Sequence, residues 1–217
     1  MQQLLNHALD LLFPPRCVGC RRRGALLCPA CRGACRPVPP AANAEQHRRL
    51  DSPFLASTAG AYIFEGALRE AIHHLKYDRQ ARVAEPLGAL LAQHLAAQRY
   101  RVDAIVAVPL HPERLRKRGF NQAQLLAQQL ARQTRLPLLA TEVVRVRQTA
   151  QQADLSRQAR RANVADAFAW RASTPPPASV LVIDDVLTTG ATVEAVAAAL
   201  CRAGAREVHA LALARGL

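Results

Sequence analysis

The chain has 217 residues, 50% of them hydrophobic but only 4% aromatic, which suits one well-buried, aliphatic, Ala-rich domain with a small appendage. Its formal charge of +13 comes almost wholly from arginine, since Lys76 and Lys117 are its lysines, and such an excess suits polyanionic partners such as nucleic acid or phosphorylated small molecules. No run of about eighteen apolar residues occurs, which excludes a spanning helix.

The N-terminal stretch from Leu4 to Phe13 is interrupted by Asn6, His7 and Asp10 and has no basic leader. It reads as a short amphipathic helix rather than a signal peptide, so a cytoplasmic location is expected. Cys17, Cys20, Cys28 and Cys31 then follow the pattern C-x2-C-x7-C-x2-C. Paired C-x2-C knuckles let backbone turns present two thiolates each to one tetrahedral ion, and a structural Zn²⁺ takes four such ligands. Two disulfides do not suit a reducing compartment, and a redox Cys-x-x-Cys would not need a second copy. Cys35 is a spare thiol able to replace one ligand, while Cys201 falls on the apolar side of the final helix and reads as core. Arg16, Arg21, Arg22, Arg23, Arg32 and Arg36 surround the knuckle with almost no acid, which suits a nucleic-acid backbone or, equally, a solvated surface. The run Arg36 to Pro53 is Pro-rich and then polar, so the expected division is a helix and knuckle over 1–36, a linker over 37–54 and a main domain over 55–217.

In the main domain, Ala59 to Phe64 predicts a strand, and Glu65 to Lys76 a helix with Leu68, Ile72 and Leu75 at helical spacing. A helix over Val83 to Ala97 precedes Asp103 to Val108, an apolar run of the kind that forms a strand buried on both faces of a parallel sheet. The loop that follows carries Arg114, Arg116, Lys117 and Arg118 at the strand's carboxyl end, matched to a multiply charged anion such as pyrophosphate. A helix from about Phe120 to Arg132 completes this βα unit. The stretch Arg145 to Asn163 is polar, long and uncapped, a mobile lid or a solvated helix. Arg206 to Leu213 supplies the last strand.

Val180 to Thr192 compresses strand, acidic turn, Thr/Gly loop and helix start into one stretch. Val180 to Ile183 is a wholly apolar strand, and Asp184 and Asp185 stand at its carboxyl end, where open α/β sheets place ligands. Thr188, Thr189, Gly190, Ala191 and Thr192 lead into a strong helix former, so loop amides and the helix N-terminus form an anion nest. A phosphate nest beside two acceptor carboxylates fits a sugar phosphate, whose vicinal hydroxyls the carboxylates receive.

This stretch resembles the phosphoribosyl-pyrophosphate (PRPP) signature of type I phosphoribosyltransferases. Phe64-Glu-Gly-Ala-Leu-Arg69, His74-Leu-Lys-Tyr77, Val108-Pro-Leu-His111, Arg118-Gly-Phe-Asn-Gln122 and Arg145-x-Arg-x-Thr149, in that order behind a cysteine knuckle, extend the likeness to the ComF competence family. The resemblance implies an α/β, type I phosphoribosyltransferase-like fold with a mostly parallel central sheet flanked by helices, preceded by a small N-terminal zinc knuckle of four cysteines. It further implies that Asp184 and Asp185 bind the ribose hydroxyls, that Thr188 to Thr192 bind the 5′-phosphate, and that Leu110 and His111 form a pyrophosphate loop joined by Arg118. Arg145, Arg147, Thr149 and Gln152 match the family's flexible catalytic-loop pattern. PRPP with Mg²⁺ is the implied ligand, phosphoribosyl transfer to an unnamed acceptor the implied activity, and uptake of transforming DNA the implied setting. The alternative is a binding module without turnover that uses the same fold to hold single-stranded DNA or proteins of the competence machinery. Many relatives carry a third Cys-x-x-Cys, whereas here Cys35 is followed by Arg-Pro-Val-Pro-Pro, leaving the choice of thiolate ligands open.

Overall fold

The computed structural model describes residues 14–78, 80–98, 100–147 and 166–216. The expected helix over Leu4 to Phe13 and most of the polar segment 145–163, with Thr149 and Gln152, lie outside the described residues.

Apolar runs punctuated by Pro, Ser or Gly become the strands of a five-stranded sheet: β1 (Ser57–Ile63), β2 (Ala104–Ala107), β3 (Leu138–Leu139), β6 (Ser179–Leu187) and β7 (Glu207–Arg215). The order is β1-β7-β6-β2-β3 and every neighbouring pair is parallel. Each residue of β2, and Val180 to Ile183 of β6, is buried, as strands covered on both faces require. Two short strands, β4 (Val143–Arg145) and β5 (Phe168–Trp170), form a separate antiparallel pair.

Among the described residues the α-helices are α1 (Pro29–Gly33), α2 (Pro40–Leu50), α3 (Gly66–Tyr77), α4 (Ala84–Ala96), α5 (Pro112–Arg118), α6 (Gln122–Thr134) and α7 (Ala191–Arg202). In α3 the residues Leu68, Ala71, Ile72 and Leu75 are the buried ones, the spacing of a one-sided amphipathic helix. No described helix is long and apolar enough to cross a membrane.

Two segments differ from the sequence expectation in ways that shape the site. The expected linker contains α2, which starts on Pro40 because proline suits the first turn of a helix, where its missing N–H costs no bond. It is fastened to β1 by Asn43, whose amide donates to Gly60 O (3.0 Å) and accepts from Gly60 N (2.9 Å), and Arg215 donates to Ala42 O at 2.6 Å. The basic loop contains α5, opened by Pro112 and closed by Gly119 at φ +81°. The knuckle packs onto the main domain: Cys17, Val18, Leu27 and Cys28 belong to the same apolar cluster as Leu68, Leu75 and the sheet.

Candidate functional site

Strands β6 and β2 lie side by side, but their connections diverge: β6 continues through α7 to β7 on one side, β2 through α5 and α6 to β3 on the other. That is a topological switch point, and the crevice beyond the carboxyl ends of the two strands is where such sheets bind ligands. The strand ends are tied together by Val108 N donating to Ile183 O (2.9 Å). Leu110 and His111 follow β2, Asp184 and Asp185 lie near the carboxyl end of β6, and Thr188 to Thr192 follow it, so the two predicted binding segments flank one crevice.

The Thr188 to Thr192 loop takes its shape from Gly190, which caps α7 at φ +84°, a left-handed conformation that costs other L-residues energy. The first-turn amides of a helix have no intrahelical acceptor and carry the positive end of its dipole, so they point donors at an anion. The Thr189 hydroxyl accepts from Ala191 N at 3.4 Å, and Thr188 is exposed while Thr189 and Thr192 are half-buried. Helix α2 supports this loop from behind. The buried Gln46 donates from Nε2 to Thr188 O (3.2 Å), and a Cβ at position 190 would stand 3.0 Å from Leu50 Cδ2.

The acidic pair is still within β6, because pairing with β7 continues through Asp184↔Ala212 to Leu187↔Arg215. Asp184 Oδ1 accepts from Asp185 N at 2.8 Å. Burial pushes the Asp184 carboxyl up to about 7, the neighbouring Asp185 charge adds to the rise, and the Asp185 amide and Lys76 oppose it. Asp184 therefore titrates near neutrality, and a cation or hydroxyl donors placed beside it favour its ionised form. Asp185 Oδ2 pairs with Lys76 Nζ at 3.1 Å, the two side chains being 12% and 19% exposed.

Cations gather opposite. The Arg118 guanidinium lies 5.3 Å above the Tyr77 ring, and that of Arg145 5.4 Å above Phe168. Burial lowers both arginines from the usual guanidinium range, and Arg114 lowers each further, while Asp185 and Tyr77 pull Arg118 back up. Arg114, Arg118 and Arg145 thus share one neighbourhood that reaches Asp185, with more positive charge than the acidic pair offsets. Arg147 is exposed just beyond β4. His111 has a structural task as well: its Nδ1 accepts from Glu113 N (3.2 Å) and so caps α5.

Sequence reasoning assigned no role to Lys76, Tyr77, Gln46 or Leu50. The first two stand in the His74-Leu-Lys-Tyr77 motif, so a signal existed; Gln46 had none, because its partner Thr188 is 142 residues away in sequence.

The four predicted zinc ligands come together. The Sγ atoms of Cys17, Cys20, Cys28 and Cys31 lie within 4.8 Å of one another, with Cys20 and Cys28 at 3.6 Å. A tetrahedral ion with Zn–S bonds of about 2.3 Å separates its sulfurs by about 3.8 Å, so this donor set fits one ion. The Cys17 thiol is lowered to about 6, because hydrogen bonds from the Cys28, Cys20 and Gly19 amides outweigh a burial effect that acts to raise it. Cys35 stays outside the set: its thiol donates to Cys31 O (3.3 Å) and burial pushes it up.

Residues 77–217 match the family model for the phosphoribosyl transferase domain. The DNA utilization protein YhgH of Escherichia coli (strain K12) is 38% identical over 156 residues, covering 69% of this chain and 68% of that protein. Competence protein F of Haemophilus influenzae is 36% identical over 151 residues, covering 66% of each. The match thus spans about two thirds of the length of these curated relatives. Among solved structures, adenine phosphoribosyltransferase from Leishmania tarentolae is similar at 14% identity and a TM-score of 0.40, covering 64% of this chain and 59% of that one.

Proposed function

The chain belongs to the ComF competence family, with a phosphoribosyltransferase domain, and on that premise we propose that it binds PRPP with Mg²⁺ in the crevice between β2 and β6 and transfers the phosphoribosyl group to an acceptor. One arrangement carries the reading: an acidic pair and then a Thr/Gly loop follow one another along a single strand and beyond it, and the Asp185 charge acts on Arg118, which Arg114 links to Arg145. The amides and hydroxyls of Thr188 to Thr192 hold the 5′-phosphate, and Asp184 and Asp185 accept from the ribose hydroxyls. Departure of pyrophosphate leaves oxocarbenium character at C1, so the protein's work is to position the sugar and neutralise the leaving group rather than supply a strong base. Arg118, Arg145, Arg147 and the Leu110-His111 loop serve the pyrophosphate side. The oxygen donors of Asp184 and Asp185 suit Mg²⁺, which neutralises phosphate charge when bound. The four-thiolate cluster suits a structural Zn²⁺.

The relatives named for DNA utilization and competence support a place in the uptake of transforming DNA, on the cytoplasmic side, among competence proteins. Arg21, Arg22 and Arg23 are all exposed on the knuckle and offer single-stranded DNA a phosphate-binding edge away from the crevice. Calorimetric titration with PRPP and Mg²⁺ tests the central assignment. The parent protein binds, and Asp184→Asn with Asp185→Asn loses about 1.5–3 kcal/mol per charge-assisted hydrogen bond removed. Equal binding by the parent and the double variant contradicts the site.

A further inference from the structure

We propose that Lys76 is a ligand-binding cation of this crevice, one that exchanges its Asp185 partner for the pyrophosphate of the incoming substrate; the proposal rests on the PRPP reading above. The buried residues Leu68, Ala71, Ile72 and Leu75 fix the rotation of α3, and the helix's last two residues then reach the site from different directions. Lys76 sends Nζ to within 3.1 Å of Asp185 Oδ2. Tyr77, 64% exposed, carries the Arg118 guanidinium above its ring. Lys76 from α3 thus pairs with a carboxylate whose charge also acts on Arg118 from α5, joining two sequence motifs whose roles were otherwise separate.

The chemistry of the ligand gives this convergence a purpose. The carbon that bears pyrophosphate in PRPP is bonded directly to the carbon bearing the 2-hydroxyl. A ribose whose hydroxyls meet Asp184 and Asp185 thus lays its pyrophosphate alongside Asp185, where Lys76 stands. With ribose hydroxyls on Asp185, the Lys76 ammonium would turn its donors to a phosphate oxygen, and the Asp185 carboxylate could also serve a divalent cation. A compact charge on a flexible four-carbon stem suits a change of partner better than a rigid guanidinium fork does. A purely structural role fits less well, because removing two charges from water costs about as much as their pairing returns. Until a ligand binds, the ion pair keeps both charges satisfied, and the substrate inherits a cation already in place.

The test uses the full chain and two probes, PRPP with Mg²⁺ and ribose 5-phosphate with Mg²⁺, the second lacking only the pyrophosphate. The parent prefers PRPP. Lys76→Gln reduces that preference about 10- to 100-fold by weakening PRPP while leaving ribose 5-phosphate within about twofold. Lys76→Arg, which keeps the charge, retains more of the preference than Lys76→Gln does. Asp185→Asn weakens both probes but leaves their ratio near the parent's. A Lys76→Gln protein that keeps the parental ratio, or loses both probes equally, overturns the proposal, because Lys76 then only orients Asp185. A parent that binds no PRPP refutes the underlying reading, an outcome visible without any variant, and the proposal falls with it.

Discussion

Replacing Asp184 by Asn removes the one carboxyl of the crevice that burial drives toward neutrality. The ordinary value of 3.8 is raised to about 7. A carboxyl raised in the folded state stabilises fully below its unfolded value, and that stability is lost as pH rises through about 7, because the unfolded chain releases its proton more readily. Each unit is worth about 1.4 kcal/mol, and roughly two units of the shift lie above pH 5, so the parent loses about 2–3 kcal/mol between pH 5 and pH 8 from this group. Asn cannot ionise, and its carbonyl oxygen still accepts from the Asp185 amide. Urea unfolding of the ligand-free protein at the two pH values therefore shows a smaller pH dependence for Asp184→Asn, and at pH 8 the variant is the more stable protein. Titrating groups remote from Asp184 are common to both and cancel in the comparison. Identical pH dependence in parent and variant would refute the claim that Asp184 is held in an unfavourable environment awaiting a ligand.

Gly190→Ala forces a side chain into φ +84° and presses on Leu50, so it lowers stability by about 1–2 kcal/mol and the melting temperature by about 2–8 °C; a variant as stable as the parent contradicts the loop geometry. Metal analysis finds one zinc per chain, and chelation destabilises the whole domain in a single transition, because a Cβ on Gly19 of the knuckle would stand 2.7 Å from Ala67 of α3; a reduced protein without zinc, or a domain whose melting ignores chelator, speaks against it. Changing Arg21, Arg22 and Arg23 to Ala weakens single-stranded DNA binding and flattens the slope of log affinity against log salt by about 2, as loss of three phosphate contacts requires. An unchanged slope makes the basic knuckle a solvated surface.

Much of the fold could be read from the sequence, because strands buried on both faces appear as short apolar runs and the helices between them as periodic ones. Val180 to Ile183, Asp103 to Val108 and the helix ending at Lys76 all fall within the observed elements or a residue or two of them. Helix α2 was hidden by its composition: Pro39, Pro40 and a polar middle resemble a spacer, and its stability comes from Asn43, Gln46 and Leu50 meeting partners distant in sequence. Likewise α5 was masked by charge, since only Pro112 and the His111 cap mark its start. Within the site, the residue types and their order marked the acidic pair at a strand end and the Thr/Gly loop before a helix, whereas the Lys76 to Asp185 pair and the Arg118 to Tyr77 contact depend on elements distant in sequence approaching in space.

The most direct test is a crystal structure of the chain with PRPP and Mg²⁺. The 5′-phosphate is expected on the amides and hydroxyls of Thr188 to Thr192, with the ribose hydroxyls on Asp184 and Asp185 and the pyrophosphate toward Arg118. A phosphate seated elsewhere, among the knuckle arginines for example, with the crevice beyond β6 filled only by solvent, would contradict the assignment.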